Sequence, residues 1–144
     1  MPCAHANRER LLAGPMSDEG HRPVLCREVV ELLAPERGGL FLDCTFGGGG
    51  HARALLEAGP DAQVVGLDQD PAAAPRAAAL KEAFGERFVF HQINFANTGE
   101  IDVVECAGVL MDLGVSSFQL DEPERGFSFR ADAPADMRMN PGEG

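Results

Sequence analysis

The sequence predicts an α/β protein built on a doubly wound parallel sheet. In residues 40–70 a buried strand (Leu40–Thr45), a glycine loop, a helix and a second strand (Gln63–Leu67) follow one another. Two further apolar stretches, Arg87–His91 and Ala107–Leu113, predict a third and a fourth strand. Because strands and helices alternate, parallel strands with right-handed crossovers are the expected arrangement.

Helices are predicted before the first strand and between the strands. Residues 21–35 place apolar side chains on one helical face. A second helix follows the glycine loop and ends at Gly59, and a third is capped by Asp70 and runs to about Phe84. The connection of residues 94–106 is short, so we expect a helix of only about two turns there.

The two ends of the chain lack this regular pattern. Residues 114–144 carry no strand or helix signal, which is typical of a functional loop or of disorder. Since a doubly wound sheet rarely stops at four strands, we expect the chain to be truncated after the fourth. Residues 1–20 are predicted to be a disordered extension.

Composition and charge argue against several classes of protein. No apolar run approaches the roughly 20 residues of a membrane helix, so no membrane partner is expected. The four cysteines show no Cys-x-x-Cys spacing, which argues against a metal site and indicates a reducing, cytoplasmic compartment. The net charge of −11 opposes nucleic-acid binding, unless the basic surface is local or lies outside this segment.

The strongest chemical signal is the glycine loop together with an acid. Gly47, Gly49 and Ala52 formally match G-x-G-x-x-A, and Asp68 ends the second strand 21 residues after Gly47. A carboxylate there can accept the hydroxyl hydrogens of a ribose, while glycines let a ligand approach the backbone. We therefore expect a nucleoside-bearing cofactor, with a purely structural turn as the alternative.

Other candidates keep two interpretations each. Asp43 could lie near the amino end of the ligand or could accept hydrogen bonds from loop amides. Asp112 ends the fourth strand, at the edge where open parallel sheets bind ligands, and could instead cap the following turn. Phe127 and Phe129 could stack on an extruded base or pin a loop to the core. His51 is a lone histidine, for which we expect a local role beside the loop.

Six motifs stand in one order along the chain: HRPVL, FLDCTFGGGGH, GLDQDP, GVLMDLGVSS, QLDEPERGFSFR and DMRMNP. Over residues 21–141 they closely resemble the bacterial MraW (RsmH) family of 16S rRNA cytosine-N4 methyltransferases, which also has a mitochondrial branch. The resemblance implies a class I S-adenosylmethionine-dependent methyltransferase with a Rossmann-like sheet. It makes residues 21–144 the N-terminal part of that domain, without the C-terminal half and the helical substrate domain.

The activity implied by the resemblance is N4-methylation of one cytosine in the decoding centre of 16S rRNA. S-adenosyl-L-methionine is the implied cofactor, and the RNA of the small ribosomal subunit is the implied partner. The implied compartment is the cytoplasm, or the mitochondrion in a eukaryote. Dimerisation is left open, and we expect this chain alone to be inactive.

The resemblance also assigns site residues, motif by motif. It implies a cofactor-binding role for Gly49, Gly50, His51, Asp68, Phe95, Asp112 and Gln119. Asp68 is the implied ribose acid, and Phe95 the implied aromatic near the adenine. Asp112 is the implied catalytic residue, because it could hold the hydrogens of the cytosine amine in line with the sulfonium methyl group.

This chain departs from the family pattern at several positions. Phe118 stands where proline is common, Gln69 where arginine is usual and Asn140 where aspartate is common. The stretch from Phe95 to Asp112 is a few residues short. Two other functions remain as alternatives: an NAD-dependent oxidoreductase, and a non-catalytic fragment or binding module.

Overall fold

The computed structural model describes residues 23–103, 105–130 and 132–142. These residues form a parallel sheet of four strands: β1 (Gly39–Asp43), β2 (Ala62–Leu67), β3 (Phe88–His91) and β4 (Gly108–Leu110). The predicted parallel α/β sheet is confirmed, and no strand end is shifted by more than three residues. The extension predicted for residues 1–20 lies outside the described residues.

The strand order β3-β2-β1-β4 places the switch point of the sheet between β1 and β4. Asp43, the last residue of β1, is paired with Gly66 of β2 and with Leu110 of β4. The carboxyl ends of these three strands therefore meet at one edge of the sheet. In an open parallel sheet this edge is where ligands bind.

Within the described residues four α-helices accompany the strands, and short 3-10 turns connect several of these elements. The helices are α1 (Cys26–Leu33), α2 (Gly50–Ala58), α3 (Ala74–Phe84) and α4 (Ser117–Asp121). The connection between β3 and β4 holds a 3-10 turn at Phe95–Glu100 in place of the expected two-turn helix. In the ranges described, every helix is too short or too polar to cross a bilayer.

The prediction that residues 114–144 contain no helix is wrong, because α4 lies inside them. Its start is fixed by a capping box: the Gln119 N–H donates to Ser116 Oγ, and the Ser116 N–H donates to Gln119 Oε1. Two backbone N–H groups are thereby satisfied at the first turn. A helix of five residues gives no periodic apolar pattern, so only this Ser-x-x-Gln spacing could have indicated it.

The core lies mainly on one face of the sheet. Phe41, Val64 and Phe88 from three strands point to this face and pack against α1, α2 and α3. On the opposite face Leu42 and Val65 belong to a smaller buried cluster. The β1–α2 connection crosses the carboxyl edge between these layers and carries the glycine loop.

Candidate functional site

The glycine loop, residues 47–50, joins β1 to α2 at the carboxyl edge of the sheet. Gly47 has a φ of 52° and Gly49 a φ of 77°, backbone conformations that favour glycine. The Phe46 N–H donates to the Leu67 carbonyl over 2.9 Å, which ties the loop to the end of β2. The loop and the acid-bearing end of β2 are thus one unit.

The glycines are also required by the packing of the chain itself. A Cβ at Gly48 would lie 2.7 Å from the Phe118 ring, and one at Gly49 would lie 2.6 Å from the Phe46 ring. At Gly50 the nearest atom, 2.3 Å away, belongs to Pro23. The structural alternative for this loop therefore has support, and the cofactor role of Gly49 and Gly50 stays a prediction.

His51 lies in the first turn of α2 and is buried. Its Nε2 donates to the Val24 carbonyl over 2.9 Å. This bond fastens the segment before α1 to the helix that follows the glycine loop. The structure thus gives His51 the local role expected from the sequence, and its contact with a cofactor stays a prediction.

Asp68 follows β2 directly and is half-buried. Its Oδ2 accepts the Gly47 N–H at 2.7 Å, and its Oδ1 accepts the Asp70 N–H at 2.9 Å. Burial raises the pKa of Asp68 above its ordinary value, against the lowering effect of these two hydrogen bonds. A carboxylate offers about four acceptor positions, so the oxygens retain capacity for ligand hydroxyls.

Asp43 is 1% exposed, at the end of β1. Its Oδ1 accepts the Thr45 N–H at 3.1 Å, whereas Oδ2 has no hydrogen-bond partner in the described part of the chain. Burial raises the pKa of Asp43 to about 7, with smaller contributions from the charges of Asp68 and Asp112 and against the lowering effect of the hydrogen bond from the Thr45 N–H. Both interpretations from the sequence find support: one oxygen serves the loop, and the other is free for a donor.

Asp112 lies two residues after β4 and is exposed. Its backbone N–H donates to Thr45 Oγ1 over 2.7 Å. Thr45 therefore touches both Asp43 and Asp112, and brings the ends of β1 and β4 together. Sequence reasoning did not identify Thr45, because a hydroxyl after a strand carries no distinctive local signal.

The turn that carries Phe95 is tied to the end of β2. Asn94 caps this turn, and its Nδ2 donates to Gln69 Oε1 over 2.8 Å. Phe95 is 37% exposed at the first position of the turn. The contact of Phe95 with an adenine stays a prediction. Gln69 stands where the family usually has arginine, and here its side chain supports the position of the turn.

Gln119 is buried in α4 and bound on several sides. Its Nε2 donates to Asp70 Oδ2 over 2.9 Å and to the Met139 sulfur over 3.2 Å. Asp70 also accepts two hydrogen bonds from the Arg125 guanidinium. The sequence indicated Asp70 as a helix cap only and did not identify Arg125, because these contacts join residues far apart in the chain.

Arg76 and Phe118 form a second link between α4 and the glycine loop. The Arg76 Nε donates to the Gly47 carbonyl over 3.0 Å. The guanidinium of Arg76 lies 4.2 Å from the centroid of the Phe118 ring. Phe118, which stands where the family commonly has proline, thus stacks on the arginine that holds the loop.

The phenylalanines of the segment after α4 differ in environment. Phe129 is fully exposed, so the interpretation that it pins a loop to the core is wrong. The Phe127 ring lies 5.9 Å from the guanidinium carbon of Arg125 and is half-buried.

Throughout the residues that the structure describes, no group of three or more His, Cys, Asp or Glu side chains has the arrangement of a metal site.

Comparison with known proteins gives a consistent result. The model of the family described as "MraW methylase family" matches residues 18–144. A protein named ribosomal RNA small subunit methyltransferase H from Synechococcus elongatus is 54% identical over 121 residues, which cover 84% of this chain and 40% of that protein. The protein of that name from Granulibacter bethesdensis is 48% identical over 135 residues, which cover 91% of this chain and 40% of that protein. The chain thus spans about 40% of the length of the curated relatives it matches. On this match, the chain belongs to the MraW methylase family.

Proposed function

We propose that this chain forms the S-adenosylmethionine-binding part of a methyltransferase that methylates the N4 amine of a cytosine in 16S rRNA. The observation that carries the proposal is the buried Oδ2 of Asp43, which has no partner in the described residues. Asp43 lies close enough to Asp68, which binds the Gly47 N–H of the glycine loop, for the two carboxyl groups to interact. The family and the names of the relatives support methylation of small-subunit RNA. Residues 21–144 are then the N-terminal part of the methyltransferase domain.

The residues at the carboxyl edge fit the charge of this methyl donor. S-adenosylmethionine carries a sulfonium and an ammonium group, and Asp43, Asp68 and Asp112 are close enough for the charges of Asp68 and Asp112 to raise the pKa of Asp43. A cationic ligand relieves this repulsion between carboxylates. We assign the unpartnered Asp43 oxygen to the ammonium group and the remaining acceptor capacity of Asp68 to the ribose hydroxyls.

The same charges oppose the NAD-dependent alternative. A dinucleotide would bring its pyrophosphate, which is negatively charged, to the edge where these three carboxylates lie. The family match is to methylases. An oxidoreductase is therefore set aside, whereas a non-catalytic binding module remains the alternative that activity measurements must test.

The acceptor side of the reaction depends on Asp112. S-adenosylmethionine, when bound, supplies a methyl group activated by its sulfonium. The amine of cytosine is a weak nucleophile, because its lone pair is delocalised into the ring, so orientation supplies much of the rate. Asp112 is exposed while Thr45 fixes its backbone, and its carboxylate can therefore accept a hydrogen of the amine and take up its proton.

The acidic charge of the chain limits its part in RNA binding. Twelve basic residues stand against 23 acidic ones, so contacts to phosphates need a basic surface elsewhere in the complete protein. We assign the donor site to this chain. Most of the RNA-binding surface we assign to a region that corresponds to the part of the relatives that this chain does not match. A cytoplasmic location, as predicted from the cysteine pattern, belongs to this proposal, and the oligomeric state is left open.

The test is a calorimetric titration of the chain with S-adenosylmethionine, after circular dichroism has shown that the chain is folded. NAD is the control ligand, and Asp68→Ala is measured in parallel. Saturable binding of the methyl donor alone, lost in Asp68→Ala, is the expected result. Binding of NAD, or of neither ligand by a folded chain, contradicts the proposed site in this chain.

A further inference from the structure

We infer that Asp70 and Arg125 are a positioning pair that fastens the segment carrying Gln119 to the end of β2 and thereby couples this segment to the donor site. The coupling rests on the proposed function, because it takes Asp68 and Gln119 as residues of the donor site. The fastening itself rests on the geometry alone. Neither Asp70 nor Arg125 is among the residues that the sequence or the resemblance assigned to the cofactor.

The two side chains form a buried, two-pronged ion pair. Arg125 Nη1 donates to Asp70 Oδ1 over 3.2 Å, and Nη2 donates to Oδ2 over 2.9 Å. The Arg125 side chain is 11% exposed and that of Asp70 is 5% exposed. Paired geometry of this kind adds directional specificity, which a single surface ion pair lacks.

The Asp70 carboxylate accepts hydrogen bonds from three parts of the chain. Besides Arg125, it accepts the Ala72 N–H at 3.0 Å and Gln119 Nε2 at 2.9 Å. Burial alone would raise the pKa of Asp70, but the hydrogen bonds from Arg125 and Gln119 outweigh it and hold the pKa below its ordinary value. The pair is therefore charged at neutral pH, and removal of one partner leaves a buried charge without compensation.

Arg125 extends the contact into the segment that follows α4. Its Nη2 donates to the Met139 carbonyl over 2.9 Å, and the Met137 N–H donates to the Arg125 carbonyl over 3.0 Å. At the next residue, Gly126, a Cβ would lie 2.3 Å from the Pro134 carbonyl oxygen. The pair thus holds α4 and the following segment in one layer over the end of β2.

The donor side begins at the backbone of the same aspartate. The Asp70 N–H donates to Asp68 Oδ1, while Asp68 Oδ2 accepts the Gly47 N–H. A continuous chain of hydrogen bonds therefore runs from the glycine loop through Asp68 and Asp70 to Gln119. A shift of Asp70 changes the orientation of Asp68 and releases Gln119 together, so Asp70 and Arg125 are positioning residues rather than ligands.

The experiment compares the full chain with Arg125→Met, Asp70→Asn and the conservative Arg125→Lys. Lys81→Met is the matched control, because it removes a cation from the exposed pair with Glu86. Hydrogen exchange is followed in peptides from residues 116–139 and from β1 and β2. We expect faster exchange of residues 116–139 in Arg125→Met and Asp70→Asn, with β1 and β2 unchanged. Unchanged exchange in both variants overturns the fastening, and a general increase that includes the strands reduces the pair to a fold stabiliser.

The coupling is measured as the affinity for S-adenosylmethionine in the same variants. We expect Arg125→Met to weaken binding about tenfold, Arg125→Lys to recover part of it and Lys81→Met to leave it unchanged. If Arg125 acts through Gln119, the double variant Arg125→Met/Gln119→Ala should have the same affinity for S-adenosylmethionine as whichever single variant binds it less tightly. Faster exchange with unchanged affinity overturns the coupling, and fully additive losses overturn its transmission through Gln119. A wild-type chain that binds no donor contradicts the proposed function and the coupling with it, whereas the exchange data still decide the fastening.

Discussion

Gly47 and Asp68 are joined across the carboxyl edge of the sheet by a hydrogen bond of 2.7 Å, from the Gly47 N–H to Asp68 Oδ2, although 21 residues separate them. The acid that is assigned to the ribose therefore also closes the loop assigned to the same ligand. Binding of a ribose must add to this bond or exchange with it. On this assignment, the order of the loop and the affinity for the donor depend on the same carboxylate.

The first prediction concerns replacement of this carboxylate by an amide. Asp68→Asn keeps one acceptor but loses the charge and part of the acceptor capacity, so we expect about a tenfold weaker affinity for S-adenosylmethionine by calorimetry. Faster exchange of the Gly47 amide should accompany the loss. Asp102→Asn, at an exposed position, is the matched control and should change neither quantity. Equal affinities of wild type and Asp68→Asn would contradict the ribose role.

A second prediction follows from the pKa of Asp43, which burial raises from 3.8 to about 7. The folded chain then keeps a proton on Asp43 that the unfolded chain has released. The free energy of unfolding should therefore fall as the pH rises through this window, with Asp68 adding a contribution of the same sign. Urea unfolding from about pH 5 to about pH 8 measures the slope. Asp43→Asn should flatten it, and an unchanged slope in this variant would assign the effect to other groups.

Gly126 provides a third prediction, for the segment that Arg125 holds. Its φ is 73°, and a Cβ would lie 2.3 Å from the Pro134 carbonyl oxygen and 2.4 Å from the Asp136 nitrogen. Gly126→Ala should lower the free energy of unfolding by more than about 2 kcal/mol, or release residues 126–136 to rapid proteolysis. Gly99→Ala is the control, since its Cβ would meet nothing within 4 Å. Equal stability of the two variants would contradict the packing described.

The stack of Arg76 on Phe118 gives a fourth prediction, which is specific to this chain. A double-mutant cycle of Arg76→Met and Phe118→Leu should show a coupling of about 0.5–1 kcal/mol in the free energy of unfolding. Phe84, whose ring faces Arg53 and Arg87, serves as the control aromatic. Arg76→Met and Phe84→Leu should be additive. Coupling free energies of the same size in both cycles would show that the coupling does not come from the contact between Arg76 and Phe118.

Phe129 leads to a fifth prediction about the acceptor. Because its side chain is fully exposed, Phe129→Ala should change the free energy of unfolding by less than about 0.5 kcal/mol. If the ring stacks on an unpaired base, the variant should bind a single-stranded RNA oligonucleotide more weakly by about 1–3 kcal/mol in a fluorescence titration. Leu32→Ala, which removes another exposed apolar side chain, is the control. Equal affinities of wild type and Phe129→Ala would rule out the stacking role.

Local pattern was sufficient for most of the fold. The apolar stretches around Phe41, Val64 and Phe88 predicted three strands, because buried parallel strands need apolar side chains on both faces. The ends of the helices were harder to predict from the sequence. The helix expected over residues 21–35 begins only at Cys26 and ends at Leu33, before Ala34, which has a φ of 50°. No pattern of side chains specifies such a left-handed turn at alanine.

The contact between the glycine loop and Asp68 could be predicted from the sequence, whereas their role in cofactor binding stays a prediction. Asp68 and the glycine loop adjoin a strand end, so topology brings them together. Asp70 and Arg125 are 55 residues apart, and their pairing depends on how the segment after α4 folds back over β2. That path follows from tertiary packing, which a reading of local periodicity does not contain.

The hydrogen bond from His51 to the Val24 carbonyl has a consequence for ligand chemistry. A carbonyl oxygen can only accept, so the neutral imidazole is held as the tautomer with its proton on Nε2, and Nδ1 is left as a lone pair. Any ligand group that reaches this ring must bring the hydrogen itself. An ammonium group satisfies that condition, whereas a carboxylate has no hydrogen to donate.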